Sequence, residues 1–137
     1  VNNWDLVDCS APAIVGGFLQ RRSRKPLHRL AKSKNLWERR IAIVATQHFI
    51  RQGEFDDALE LCELLLADAE DLIHKAAGWM LREIGDRDAE ALKRFLAVHL
   101  SRMPRTMLRY AIEKLAPQQR AAYLAGGAPK AKTKTRR

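Results

Sequence analysis

Apolar residues recur along this chain three and four positions apart almost without interruption, and no stretch alternates strictly between apolar and polar. The pattern predicts helices over residues 11–22, 26–33, 36–52, 55–67, 70–84, 88–101, 104–115 and 117–124, and no strands. Pro26, Gly53, Gly85 and Pro104 fall between them as breakers, with Asn35, Asp86 and Asp88 as cap or turn residues. The chain reads as all-α. From Ala125 onward, "AGGAPKAKTKTRR" lacks apolar residues able to hold it to a core. A helical domain over residues 1–124 with a disordered basic tail over 125–137 is therefore expected.

The helices repeat. Aligning "LWERRIAIVA" at 36–45, "LIHKAAGWML" at 72–81 and "TMLRYAIEKL" at 106–115 places Arg40, Lys75 and Arg109 at successive steps of 35 and 34 residues, and Ala42, Ala77 and Ala111 keep the same steps. Two helices per unit at this interval mark an α-solenoid, in which each helix pair buries its apolar face against its neighbours. About three to four such units fit the chain. The small alanines let adjacent helices approach, and the cations two positions earlier are expected to form a stripe on a curved, basic, concave face. Asp8 lies 32 residues before Arg40, at the head of that stripe.

Charge sharpens the picture. The 137 residues carry a net charge of +9, with ten Lys or Arg against three acids over residues 1–52 and ten against thirteen over 53–128; the tail adds five cations. A fold with one basic half attracts a polyanion, and nucleic acid is the first candidate. With 47% hydrophobic and 30% charged residues the composition is that of a globular domain. No apolar run is long enough to span a bilayer and no leader pattern is visible, so a cytoplasmic monomer without membrane attachment is expected. Cys9 and Cys62 have no metal-ligand spacing, and His28, His48, His74 and His99 form no HxxxH or HExxH pattern, so no metal site and no cofactor is expected.

All three tryptophans stand three or four positions from a charge: Trp4 with Asp8, Trp37 with Arg40, and Trp79 with Lys75. Cations on a concave face hold phosphates without regard to sequence. An indole offers a flat surface to a sugar, a base or a cation. A carboxylate among them is anomalous, because it repels the phosphodiester. Its presence fits a reaction in which positive charge develops, as at the anomeric carbon when a glycosidic bond breaks. A purine alkylated at N3 or N7 is already cationic and leaves neutral, so one carboxylate near C1′ suffices and no general acid is required. Arg39 beside Arg40, and Arg21, Arg22, Arg24 and Lys25 in "RRSRKP", are further candidates for phosphate contact. Structural alternatives stay open at this point: a core role for each indole, and a helix cap or an ion pair with Arg40 for Asp8.

"WDLVD" at 4–8, "LWERRIAIVA" at 36–45, "IHKAAGWMLREIG" at 73–85 and "MPRTMLRYAIEKL" at 103–115 together resemble the bacterial DNA alkylation repair glycosylases of the AlkD type, in the AlkC/AlkD superfamily. The resemblance implies HEAT-like repeats and excision of positively charged 3-methyl- and 7-methylpurines from double-stranded DNA without flipping the base. It also implies that Asp8 is the catalytic aspartate, with Trp4, Arg40 and Trp79 in the active site. Members of the family carry repeats before the catalytic helix, so the chain reads as a C-terminal portion lacking them. The competing class is a non-catalytic helical module that binds DNA or an acidic protein partner, with Asp8 only structural.

Overall fold

The computed structural model describes residues 24–126, and every regular element among them is helical. The elements are α1 (Lys25–Ala31), α2 (Leu36–Ala45), α3 (Gln47–Ile50), α4 (Asp56–Leu64), α5 (Asp71–Arg87), α6 (Ala89–His99), α7 (Arg105–Ala111) and α8 (Pro117–Leu124); short 3₁₀ turns follow α4 at Leu65–Ala67 and α6 at Leu100–Arg102. The expected helix over 11–22, with Trp4, Asp8, Arg21 and Arg22, lies outside the described residues. So does the tail from residue 127.

Caps set most of the boundaries. The Asn35 side chain accepts from the backbone N–H groups of Trp37 and Glu38 at 2.8 and 3.2 Å, satisfying two donors that the first turn of α2 leaves open. Asp88 does the same for Glu90 and Ala91 at the start of α6. Pro26 and Pro117 stand in the first turns of their helices, where a missing N–H is harmless. Gly53, at φ 82°, takes the left-handed position after α3, and the Glu54 N–H closes back onto the Phe49 carbonyl at 2.9 Å in a Schellman arrangement.

Three expectations are corrected. The single helix over 36–52 breaks at Thr46, whose hydroxyl donates to the Ile43 carbonyl at 2.5 Å and competes with the helical ladder. Conversely, α5 runs through Gly85 and Asp86 to Arg87. Gly85 is a packing position, because a Cβ there would come within 2.6 Å of Leu92 Cδ2 on α6. Asp86 is a helical residue whose carboxylate accepts from Lys114 Nζ at 2.9 Å.

The helices form two layers. α2, α5 and α7 stack side by side, and these are the three segments that the period of 34–35 residues aligned. α1 packs on α2 and α4, α4 packs on α5, and α6 folds back on α5. This is an α-solenoid-like all-α fold. Leu27, Ile43, Phe49, Leu61, Met80 and Met107 are completely buried between or within the layers, each contributing roughly 1.5–3 kcal/mol of transfer free energy. Ala42, Ala77 and Ala111 are buried as expected. The closest approach nevertheless falls on Gly78, where an added Cβ would meet the Met107 carbonyl oxygen and Tyr110 Cβ, both at 2.6 Å. Only glycine lets α7 lie this close to α5.

Candidate nucleic-acid interface

α5 offers its neighbours three sides and leaves the fourth open. Ile73, Ala77 and Ile84 point into the core, and Gly78 admits α7. Lys75 and Trp79, one helical turn apart, share the remaining side. The Lys75 side chain is 42% exposed, with Nζ 3.9 Å from Asp71. Trp79 is half-buried: one part of the indole packs against the core and the rest faces outward. A cation and a partly open indole at this spacing can hold a phosphate and the adjoining sugar.

Arg40 meets the same helix one turn earlier. The residue is buried, 8% exposed, and its guanidinium donates from Nη1 to the Leu72 carbonyl at 2.7 Å. Leu72, Lys75 and Trp79 follow one another on one side of α5 by helical spacing, so Arg40 stands at the head of that side. The expected open stripe of Arg40, Lys75 and Arg109 is therefore graded: Arg40 is buried at the α2–α5 junction, Lys75 is partly open, and Arg109 is exposed on α7. The period aligned the three positions. It carried no information on which of them a neighbouring turn would cover.

Two further cations expected to contact phosphates are held within the fold. Arg39 makes a forked pair with Asp68, at 2.7 and 3.3 Å, and donates to the Ser33 carbonyl at 3.0 Å. The Asp68 side chain is only 7% exposed, so this pair tethers the start of α2 to the loop before α5. Arg24 donates to Asp57 at 2.8 Å and to Glu54 at 3.1 Å, and its guanidinium carbon lies 3.7 Å from the centre of the Phe49 ring. Lys25 is exposed on α1, and Trp37 is half-buried in the first turn of α2.

The acidic segment at 54–71 anchors α1. There His28 Nε2 lies 3.2 Å from Asp57 and 3.6 Å from Glu60. These three residues place ligand atoms within 4.8 Å of one another. The local His spacing examined in the sequence does not show such a group, because its members come from two helices 29 or more positions apart. Asp57 already carries Arg24 on its other oxygen, so the cluster serves as the ionic tie between α1 and α4.

Two further charges of α5 pair across to the turn that follows α7: Arg82 with Glu113, and Asp86 with Lys114. Cys62, buried, donates its thiol weakly to the Ala77 carbonyl at 3.6 Å, and burial pushes its pKa strongly upward, which keeps it protonated and inert. No helix among the described residues is long and apolar enough to cross a membrane.

A stacked helical array with a cation and an indole on the open side of its central helix defines the class: an α-solenoid-like all-α protein. The chain belongs to the DNA alkylation repair enzyme family, whose profile matches residues 1–115. No curated protein and no solved structure matches it.

Proposed function

We propose that the chain is a DNA glycosylase that hydrolyses the N-glycosidic bond of purines made cationic by alkylation at N3 or N7, acting on duplex DNA without flipping the base. The family match over residues 1–115 carries this reading. It is supported by the pairing of Lys75 and Trp79 on the open side of α5.

In this reading the bond from C1′ to the base nitrogen breaks with its electron pair leaving on the base, which departs neutral. The sugar is left as an oxocarbenium-like cation. Asp8 stabilises that cation and aligns a water, whose oxygen bonds to C1′ and whose proton passes to solvent. Trp4 and Trp79 lie against the sugar. Arg40 supplies a fixed positive charge at the head of the α5 face, while Lys75, Trp37 and Arg109, with Arg21, Arg22 and Lys25, hold the backbone. Arg39 and Arg24 are reassigned to folding, since their guanidinium groups are bound to Asp68 and to Asp57 and Glu54.

The test is to incubate the protein with duplex treated with a methylating agent and with the same duplex untreated, then count alkali-labile abasic sites. The expected result is abasic sites in the treated duplex alone. Salt-sensitive binding to both duplexes with abasic sites in neither would reject the enzyme and leave a helical DNA-binding module.

A further inference from the structure

α8 begins at Pro117, beyond the family match, yet it builds one wall of a cleft on the face that continues from α5. The cleft measures about 440 Å³ and is lined by Arg109, Ile112, Glu113, Arg120 and Leu124. Its position follows from the repeat. Arg109 comes 34 residues after Lys75 and occupies the corresponding place on α7, the helix stacked directly on α5. A rod lying along the open side of α5 therefore reaches this cleft next.

The charges in the cleft favour an anion. Arg109 is exposed and makes no hydrogen bond or ion pair among the described residues. Arg120 faces it from α8, half-buried and oriented by donation from Nη1 to the Leu115 carbonyl at 2.7 Å and the Glu113 carbonyl at 3.4 Å. The acid in the lining, Glu113, has its carboxylate engaged by Arg82 of α5. The Arg105 guanidinium donates to the Leu124 carbonyl at 2.6 Å and pins the end of α8 in place. Leu124, which is half-buried, supplies hydrocarbon beside the two guanidinium groups, while Ile112 belongs to the buried core beneath.

We infer that the α7–α8 cleft is a DNA backbone subsite that takes one sugar–phosphate unit of the duplex away from the lesion. The phosphate lies between Arg109 and Arg120, and the deoxyribose rests on Leu124. A bare phosphate ion would use the arginines and leave the hydrocarbon uncovered; a nucleotide unit within a strand uses both. Recognition of this kind reads no bases, as suits an enzyme that must bind wherever damage occurs. The inference rests on the DNA reading above and adds to it a contact supplied by a helix outside the matched region.

The test uses the complete chain and an undamaged duplex. Affinity is measured over a series of salt concentrations for the wild type, Arg109→Gln, Lys75→Gln and the double variant. Arg109 is exposed and has no partner among the described residues, so its substitution is expected to leave the fold intact, which a thermal melt verifies. The expected outcome for Arg109→Gln is weaker binding and a slope of log K against log salt shallower by about one unit, with the two losses adding in the double variant Lys75→Gln/Arg109→Gln. If Lys75→Gln reduces the slope and Arg109→Gln leaves it unchanged, the subsite is rejected while the DNA reading stands. If the wild type shows no salt-dependent binding, or neither variant alters it, the DNA reading itself falls. Displacement of the duplex from the wild type by inorganic phosphate at constant ionic strength would mark a free-anion site and overturn the inference.

Discussion

Gly78 and Gly85 lie two turns apart on α5 and face different neighbours. At Gly78 an added methyl group meets a backbone carbonyl and a Cβ, neither of which can swing away; at Gly85 it meets the flexible tip of Leu92. Gly78→Ala should therefore lower stability by about 1–3 kcal/mol through overpacking. Gly85→Ala should cost much less, because replacing a helical glycine recovers up to about 1 kcal/mol. Thermal unfolding of the two variants checks this, and equal melting points would contradict the helix contact described. Arg39 offers a second residue-scale test. Arg39→Ala leaves the Asp68 carboxylate nearly buried without its forked partner, which should cost roughly 2–4 kcal/mol. Urea titration measures it. A loss of DNA affinity at unchanged stability would instead return Arg39 to the binding surface.

α5 is the element on which site and fold meet: its inner residues fill the core, Gly78 seats α7, Leu72 receives Arg40, and Lys75 and Trp79 face outward. Its position in the stack was readable from the 34–35-residue period, since the three aligned segments became the three stacked helices. The caps at Asn35 and Asp88 were readable as well, being local chemistry. Asp88→Ala should lower stability by about 1 kcal/mol and speed amide exchange at Glu90 and Ala91; unchanged exchange there would contradict the cap. The break at Thr46 and the passage through Gly85 were not readable. One depends on which carbonyl a hydroxyl selects, the other on a leucine brought in by α6, and neither leaves a periodic trace. The same reason explains why the carboxylate partners of Arg24 and Arg39 were not readable. Their partners lie 29 to 33 residues away along the chain, where spacing rules do not reach.

At the scale of the whole molecule, part of the charge among the described residues is paired within the fold. Arg24, Arg39, Arg82 and Lys114 are each matched by a carboxylate, so fewer cations stand open than the 25 Lys and Arg of the sequence suggest. Stability follows pH through two buried groups, Cys62 and Tyr123, both with pKa values raised by desolvation; Glu90 adds to the effect at Tyr123. A raised pKa in the folded state contributes stability that is complete below the group's ordinary pKa and lost as pH rises above it. The protein should thus lose stability from about pH 9 upward, and Cys62→Ala should flatten part of that fall. Urea midpoints at pH 8 and pH 10.5 for both proteins measure it, and parallel curves would contradict the assignment. The central claim is that an acid is kept on a cationic face because a sugar becomes positive beside it. Single-turnover release of 7-methylguanine from methylated duplex, compared between the wild type and Asp8→Asn, tests it most directly. The account predicts that Asp8→Asn loses at least about 10²–10³-fold in rate while binding the duplex as well or better; release at the wild-type rate would contradict it.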